Sequence, residues 1–229
     1  MAEKADRPWL TFDCYDTLVA YTESKLSALM EIVYSKGGNK ALADSAWSNF
    51  EKAEKQLQSG PFLILNKVLR QSLKRAITSV GLEVTDDDEG KMLEAVKKAK
   101  PFPDVLPALI ELRADYRLAI LSNSEPDIIC FNIAAIGIEF DAVVLAAEAG
   151  CYKPATGMFH ELLSRINQHP KNVVHIAQSF YHDMRTAKDC GFGRRLWINR
   201  YNKTGDPAYK PDAELPDLSG IRAVLENCS

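Results

Sequence analysis

An apolar run, Trp9-Leu10-Thr11-Phe12, stops at Asp13, and Tyr15, Asp16 and Thr17 follow at once. Three more polar groups come after apolar runs further along: Ser122-Asn123, then Tyr152-Lys153-Pro154, then Gln178-Ser179-Phe180-Tyr181-His182-Asp183. Brought together, they supply a carboxylate, a hydroxyl, an ammonium group and a second carboxylate. That set can run nucleophilic catalysis. Asp13 would attack an electrophilic centre and form an ester. Lys153 would keep Asp13 ionised and oriented. The Ser122 hydroxyl would donate to Asp13 or to a substrate oxygen. Asp183 would anchor Lys153 or activate the water that cleaves the ester. Each residue alone has an ordinary reading: Asp13 as a cap, Ser122-Asn123 as a turn, Lys153 as a solvated loop lysine. Their shared position at the ends of apolar runs favours the catalytic one.

The elements that must position these residues follow from hydrophobic patterning. Residues 9–13, Arg117–Leu121, Ala142–Leu145, Val173–Ala177 and Arg195–Asn199 are short and nearly continuous in apolar character. Strands covered on both faces read this way. Helical spacing recurs at 106–114, 127–136, 158–166 and 182–190. Alternating strand and helix predicts a doubly wound parallel α/β sheet. Residues 22–98 carry no strand pattern and read as helices at 24–36, 41–59, 61–80 and 86–98, with Asp86 as an N-cap. The predicted organisation is an α/β core of residues 1–20 and 99–229, interrupted at 21–98 by a helical cap over the carboxyl ends of the strands. The stretch 203–218 reads as loop.

Composition narrows the function. The 229 residues are 46% hydrophobic and 26% charged, with net charge −3. A sizeable core is expected, and a nucleic-acid partner is not. No apolar run approaches the ~20 residues of a membrane span, and the N-terminus lacks an apolar signal core. A cytoplasmic protein is expected. The five cysteines are odd in number and scattered, which fits reduced thiols and not a zinc site.

On the motifs Phe12-Asp13-x-Tyr15-Asp16-Thr17-Leu18, Leu121-Ser122-Asn123, Tyr152-Lys153-Pro154 and Asp183, the chain resembles the haloacid dehalogenase (HAD) superfamily, and within it the 2-haloacid dehalogenases most. The resemblance implies a Rossmann-type core with an inserted cap, Asp13 as nucleophile, and Thr17, Ser122, Lys153 and Asp183 as its catalytic partners. Phosphatase relatives carry an aspartate two residues after the nucleophile to protonate the leaving alcohol. Here Tyr15 stands there, as an aromatic does in haloacid dehalogenases, whose halide leaves without a proton. Phosphatases also carry an acidic magnesium ligand where this chain has Ser179, and magnesium prefers carboxylate oxygens.

The resemblance further implies a substrate pocket of Tyr15, Asn123, Trp47, Phe159, Phe180 and His182. It departs at several points. Dehalogenases have glycine at Asp16, which here reads as a turn cap. Ser48 stands where a cap arginine receives the halide and the carboxylate; Lys52, Lys55 and Arg70 are nearby cations. Phe159 replaces a tyrosine and Phe180 an asparagine. His175 reads as structural. The expected activity is metal-free displacement of halide from a small 2-haloacid through an aspartyl ester, with no cofactor. The alternatives are a phosphatase using magnesium and a catalytically idle binding module. A homodimer is implied by the resemblance alone.

Overall fold

The computed structural model describes residues 7–227. The extreme N-terminus and Cys228 lie outside the described residues. Six strands form one parallel sheet in the order β3-β2-β1-β4-β5-β6. They are β1 (Trp9–Phe12), β2 (Arg117–Ser122), β3 (Ala142–Leu145), β4 (Val173–Ala177), β5 (Arg194–Ile198) and β6 (Ala213–Leu215). Alternate side chains of a strand point to opposite faces, and both faces here are covered. Leu10 and Phe12 join Leu118, Ile120, Ile176 and Leu196 on one face. Trp9 joins Ala119, Leu121, Val144 and Val173 on the other. This double burial is why the strands read as unbroken apolar runs.

The strand order reverses at β1. Chain growth runs from β1 to β2 and β3 on one side, then returns to add β4, β5 and β6 on the other. A crevice opens at the carboxyl end of such a switch point. Asp13 is the residue directly after β1, and its amide donates to the Ile176 carbonyl of β4 at 3.1 Å.

Four helices fill the interval between β1 and the rest of the sheet: α1 (Tyr21–Ser35), α2 (Lys40–Gln58), α3 (Leu65–Ser79) and α4 (Asp86–Lys97). They share a core of Leu29, Ile32, Phe50, Leu69, Leu73, Ile77, Met92 and Val96. Burying each such side chain stabilises by about 1.5–3 kcal/mol. Ile128 of the α/β part packs into this core, while Leu57 and Val68 pack against the sheet's cluster, so the helical insertion is seated on the sheet. The remaining helices are α5 (Val105–Leu112), α6 (Pro126–Ile136), α7 (Ala146–Ala149), α8 (Thr156–Ile166), α9 (Arg185–Asp189) and α10 (Ile221–Glu226).

Three local expectations are corrected. The N-cap of α4 is Thr85, not Asp86: its hydroxyl accepts from the Asp88 amide, and the Asp88 carboxylate accepts in return from the Thr85 amide. α3 starts at Leu65, because Pro61 to Ile64 stays outside the helix. The stretch read as loop contains β6, whose exposed Glu214 between half-buried Ala213 and Leu215 gives no apolar run to signal a strand.

Candidate active site

Lys153 is the hub. Its ammonium group donates to Asp13 Oδ1 at 2.8 Å, Asp183 Oδ1 at 2.7 Å and the Leu121 carbonyl at 2.9 Å. An ammonium has three protons, and all three are used. Asn123 holds the lysine backbone from both sides: Oδ1 accepts from the Lys153 amide at 2.7 Å, and Nδ2 donates to the Lys153 carbonyl at 3.1 Å. Lys153 is 2% exposed. Burial alone would discharge it, but Asp13 and Asp183 outweigh that and hold it firmly protonated.

The second oxygen of Asp13 is fixed as well. Thr17 donates from Oγ1 to Asp13 Oδ2 at 2.7 Å, and the same hydroxyl accepts from the Gln178 amide at 2.8 Å. Trp197 in turn donates from Nε1 to the Gln178 carbonyl at 2.7 Å. Burial pushes the Asp13 carboxyl above its ordinary value; Lys153 opposes this, and the charge of Asp183 adds to it. Asp183 is buried too, yet its carboxyl lies below the ordinary value, because Lys153 and His175 outweigh burial. His175 Nε2 is 3.0 Å from Asp183 Oδ1, and Nδ1 is 2.8 Å from Thr11 Oγ1. The strand histidine thus braces Asp183 from behind.

Of the catalytic candidates, two carry a buried oxygen with no hydrogen-bond partner among the described residues: Ser122 Oγ and Asp183 Oδ2. A buried polar atom left unpaired costs free energy; Asp183 lines the cavity over Asp13, so its free oxygen is available to a substrate or a water, whereas Ser122 is not among the lining residues. Ser122 does not donate to Asp13, one of the two roles its position suggested.

A cavity of about 250 Å³ lies above Asp13, lined from the sheet by Tyr15, Asn123, Gln178, His182 and Lys203, and from the helices by Tyr21, Lys25, Glu54 and Gln58. Tyr15 is locked as a wall, its hydroxyl 2.7 Å from Ser124 Oγ and its ring stacked 4.0 Å from that of Tyr21. Asp16 takes a left-handed backbone, φ +60°, which explains why glycine suits this position and why an aspartate is tolerated. Its carboxylate accepts from the amide and the hydroxyl of Thr22, in the first turn of α1. It therefore caps that helix, whose own N-cap residue, Ala20, makes no side-chain bond. His182 Nδ1 is 2.9 Å from Ser179 Oγ, and burial lowers its basicity, so the imidazole is neutral near pH 7.

Three residues expected in the pocket lie elsewhere. Trp47 stacks on Phe50 at 5.6 Å within the helical core and stands behind Lys25. Phe159 is fully buried under the sheet, edge-on to His175 and Phe192 at 5.5 and 5.7 Å. Phe180 packs edge-on against Trp197 at 4.9 Å. The nearby cations are also absent from this cavity's lining. Ser48 and Lys52 lie on the exposed side of α2, Lys55 lines a neighbouring cavity that shares Gln58, Lys153 and His182 with this one, and Arg70 is paired with Glu89 at 2.6 Å.

The charged residues that α1 and α2 do present are Lys25 and Glu54. Lys25 donates to both oxygens of Glu54, at 2.9 and 2.7 Å, and lies 4.0 Å over the Tyr21 ring, whose hydroxyl donates to Glu54 at 3.1 Å. A signal for them exists in the sequence. Each is a charged residue on an otherwise apolar helical stripe: Tyr21, Lys25, Leu29, Ile32 on α1 and Phe50, Glu54, Leu57 on α2.

Position 179 offers a hydroxyl facing His182 where a magnesium site would call for a carboxylate, and Asp13 and Asp183 each give one oxygen to Lys153.

A model of the family described as haloacid dehalogenase-like hydrolase matches residues 9–191. The chain is 25% identical over 220 residues to (S)-2-haloacid dehalogenase 1 of Pseudomonas sp. (strain CBS-3), covering 93% of this chain and 94% of that protein. The structure of L-2-haloacid dehalogenase from Xanthobacter autotrophicus with chloropropionic acid covalently bound superposes with a TM-score of 0.80 at 21% identity, over 97% of this chain and 100% of that one. A phosphoserine phosphatase of Thermus thermophilus is 27% identical, but over only 52% of this chain and 49% of that protein.

Proposed function

The chain belongs to the haloacid dehalogenase-like hydrolases, and from that premise we propose that it is a metal-independent dehalogenase of small 2-haloacids. Positions 15 and 179 carry the reading. A phosphatase of this type needs an acid at the first and a metal ligand at the second. This chain has a tyrosine locked to Ser124 and a serine turned to His182. Cavity charge points the same way. Four carboxylates (Asp13, Asp16, Glu54, Asp183) face three ammonium groups (Lys25, Lys153, Lys203). A phosphate dianion meets an unfavourable balance there, and a monoanionic acid a milder one. The volume suits a few heavy atoms. The nearly full-length match to a dehalogenase, against a half-length match to a phosphatase, supports it further.

In this reading an Asp13 oxygen attacks C2 of the haloacid. The carbon–oxygen bond forms as the carbon–halogen bond breaks, and halide leaves with the bonding electrons. Water then attacks the Asp13 carboxyl carbon. Asp183 Oδ2, buried and otherwise unpartnered, takes one water proton. The departing 2-hydroxyacid oxygen takes the other, and Asp13 is restored. Lys153 stays charged throughout and steadies both carboxylates. Asn123, Tyr15 and His182 line the space around the reacting carbon. Helices α1–α4 act as the cap that excludes bulk water. The unpaired thiols of Cys14, Cys130, Cys151 and Cys190 suit a reducing cytoplasm.

The test is halide release from 2-chloropropionate in EDTA, beside magnesium-supplemented hydrolysis of a phosphate ester. Halide release that EDTA leaves unchanged is expected. Magnesium-dependent phosphate release without halide release would overturn the reading. A second expectation concerns pH. Asp13 must be ionised to attack, and burial raises its carboxyl, so the acid limb of single-turnover halide release lies above that of an ordinary aspartate. Because Asp183 contributes to that elevation, Asp183→Asn is expected to move the limb to lower pH. A limb that stays put or rises contradicts the assignment.

A further inference from the structure

The site just proposed must receive a substrate carboxylate, and the cation that does so is not where the helical insertion would put it. Lys25 is the ammonium group that α1–α4 direct into the cavity, and both oxygens of Glu54 occupy it. Lys153 has no proton left to donate. That leaves Lys203, the one cation lining the cavity with no carboxylate partner among the described residues. We infer that Lys203, carried by the sheet, is the anchor for the substrate's carboxylate. The inference rests on the dehalogenase reading and deepens it.

The segment that carries Lys203 is built to hold a position. Buried Asn199, directly after β5, brackets the residue: Asn199 Oδ1 accepts from the Lys203 amide at 2.8 Å, and Nδ2 donates to the Lys203 carbonyl at 2.8 Å. Two residues on, Gly205 lies so close to Phe180 that a Cβ there would fall 2.6 Å from the ring. The loop is thus clamped to the turn that carries His182 and Asp183. Tyr201, two residues earlier, donates from its hydroxyl to Asp16 Oδ1 at 3.2 Å and ties the loop to the far wall of the cavity. Lys203 stands at the rim, its Nζ 5.5 Å from the Tyr201 ring. An exposed ammonium there can meet an acid without first breaking an ion pair, whereas Lys25 would have to leave Glu54.

Phe180 takes on a role in this arrangement. It does not touch the cavity; it is the surface against which the Lys203 loop is seated.

The experiment has two arms. The first measures halide release from 2-chloropropionate and from neutral 2-chloropropionamide by wild type, Lys203→Ala and Lys203→Arg. Loss of one charge-assisted hydrogen bond should raise KM for the acid by about 10- to 100-fold in Lys203→Ala, with kcat changed far less. The amide should be unaffected, and Lys203→Arg should restore most of the acid's affinity because the charge is kept. The second arm measures binding of 2-hydroxypropanoate, which needs no turnover, and expects the same loss in Lys203→Ala. Unchanged KM and unchanged binding in Lys203→Ala, or no binding of the hydroxyacid to wild type, overturns the anchor. A wild type that releases no halide but binds the hydroxyacid in a Lys203-dependent way overturns the dehalogenase reading and leaves the anchor standing.

Discussion

Asp13→Asn is expected to abolish halide release while leaving the fold intact. The loss should reach about 10⁴-fold or more, the scale seen when a covalent nucleophile is removed. Asparagine has the same shape. Its carboxamide oxygen can still accept from Lys153, so the hub keeps both of its side-chain acceptors, at position 13 and at Asp183. What it cannot do is donate an electron pair from an anionic oxygen to carbon. Stability should hold or rise. Burial and the neighbouring Asp183 charge raise the Asp13 carboxyl in the folded state. A carboxylate in that position loses stability for the fold as pH climbs through the raised value, and an amide removes that loss. The expected pattern is therefore a dead enzyme with an equal or higher Tm. A variant within tenfold of wild type would mean that water attacks the substrate directly. The same question can be put to the wild type. In H₂¹⁸O, a single turnover should place the label in the Asp13 carboxylate and leave the hydroxyacid unlabelled, because the water oxygen joins the aspartate carbon. Label in the hydroxyacid from the first turnover contradicts the ester.

The centre of this site was legible in the sequence because each of its residues sits at the end of a doubly buried strand or in the loop that follows one. Asp13 follows Phe12, Ser122 closes β2, and Asp183 lies six residues after β4. In a parallel sheet those ends share an edge whatever the surrounding helices do. Chemistry then singles out Lys153, the cation needed between two carboxylates. Asp16 reads in the sequence as a cap of its own turn; its backbone is left-handed, but its carboxylate accepts from Thr22, six residues on, and so caps α1 instead.

The roof was not legible, and the reason is helical phase. A helix advances about 100° per residue, so a placement uncertain by one turn cannot say which side chain faces the nucleophile. Ser48, judged to occupy the key position, is exposed, while Glu54 reaches the cavity from the same helix. Phe159 and Phe180 failed differently. Each is an aromatic at a position linked by resemblance to a polar pocket residue, and each satisfies its apolar surface in a core instead. β6 escaped because three residues at a sheet edge need no apolar run.

Removing Lys153 is the second change with a large expected effect, and it should damage activity and stability together. In Lys153→Met the stem volume is kept and the charge is lost. Asp13 and Asp183, both buried, then face each other without the cation that bridges them at 2.8 and 2.7 Å. Breaking a buried ion pair by deleting one partner costs about 3–5 kcal/mol, because an uncompensated charge is left behind. The Leu121 carbonyl also loses its donor. The pH dependence has a definite sign. Without Lys153, the one group here that lowers the already raised Asp13 by charge, that carboxyl moves further up. A raised carboxyl contributes stability below its unfolded value that disappears as pH climbs through the folded one. The deficit of Lys153→Met relative to wild type should thus be smallest in acid, where one carboxyl is protonated, and grow toward neutrality. Halide release should be lost at every pH. In acid Asp13 is uncharged, and near neutrality its attack has no ammonium to hold its direction. A deficit that shrinks as pH rises, measured as Tm from about pH 4 to about pH 8, would show that Lys153 is not the charge that keeps these two carboxylates together.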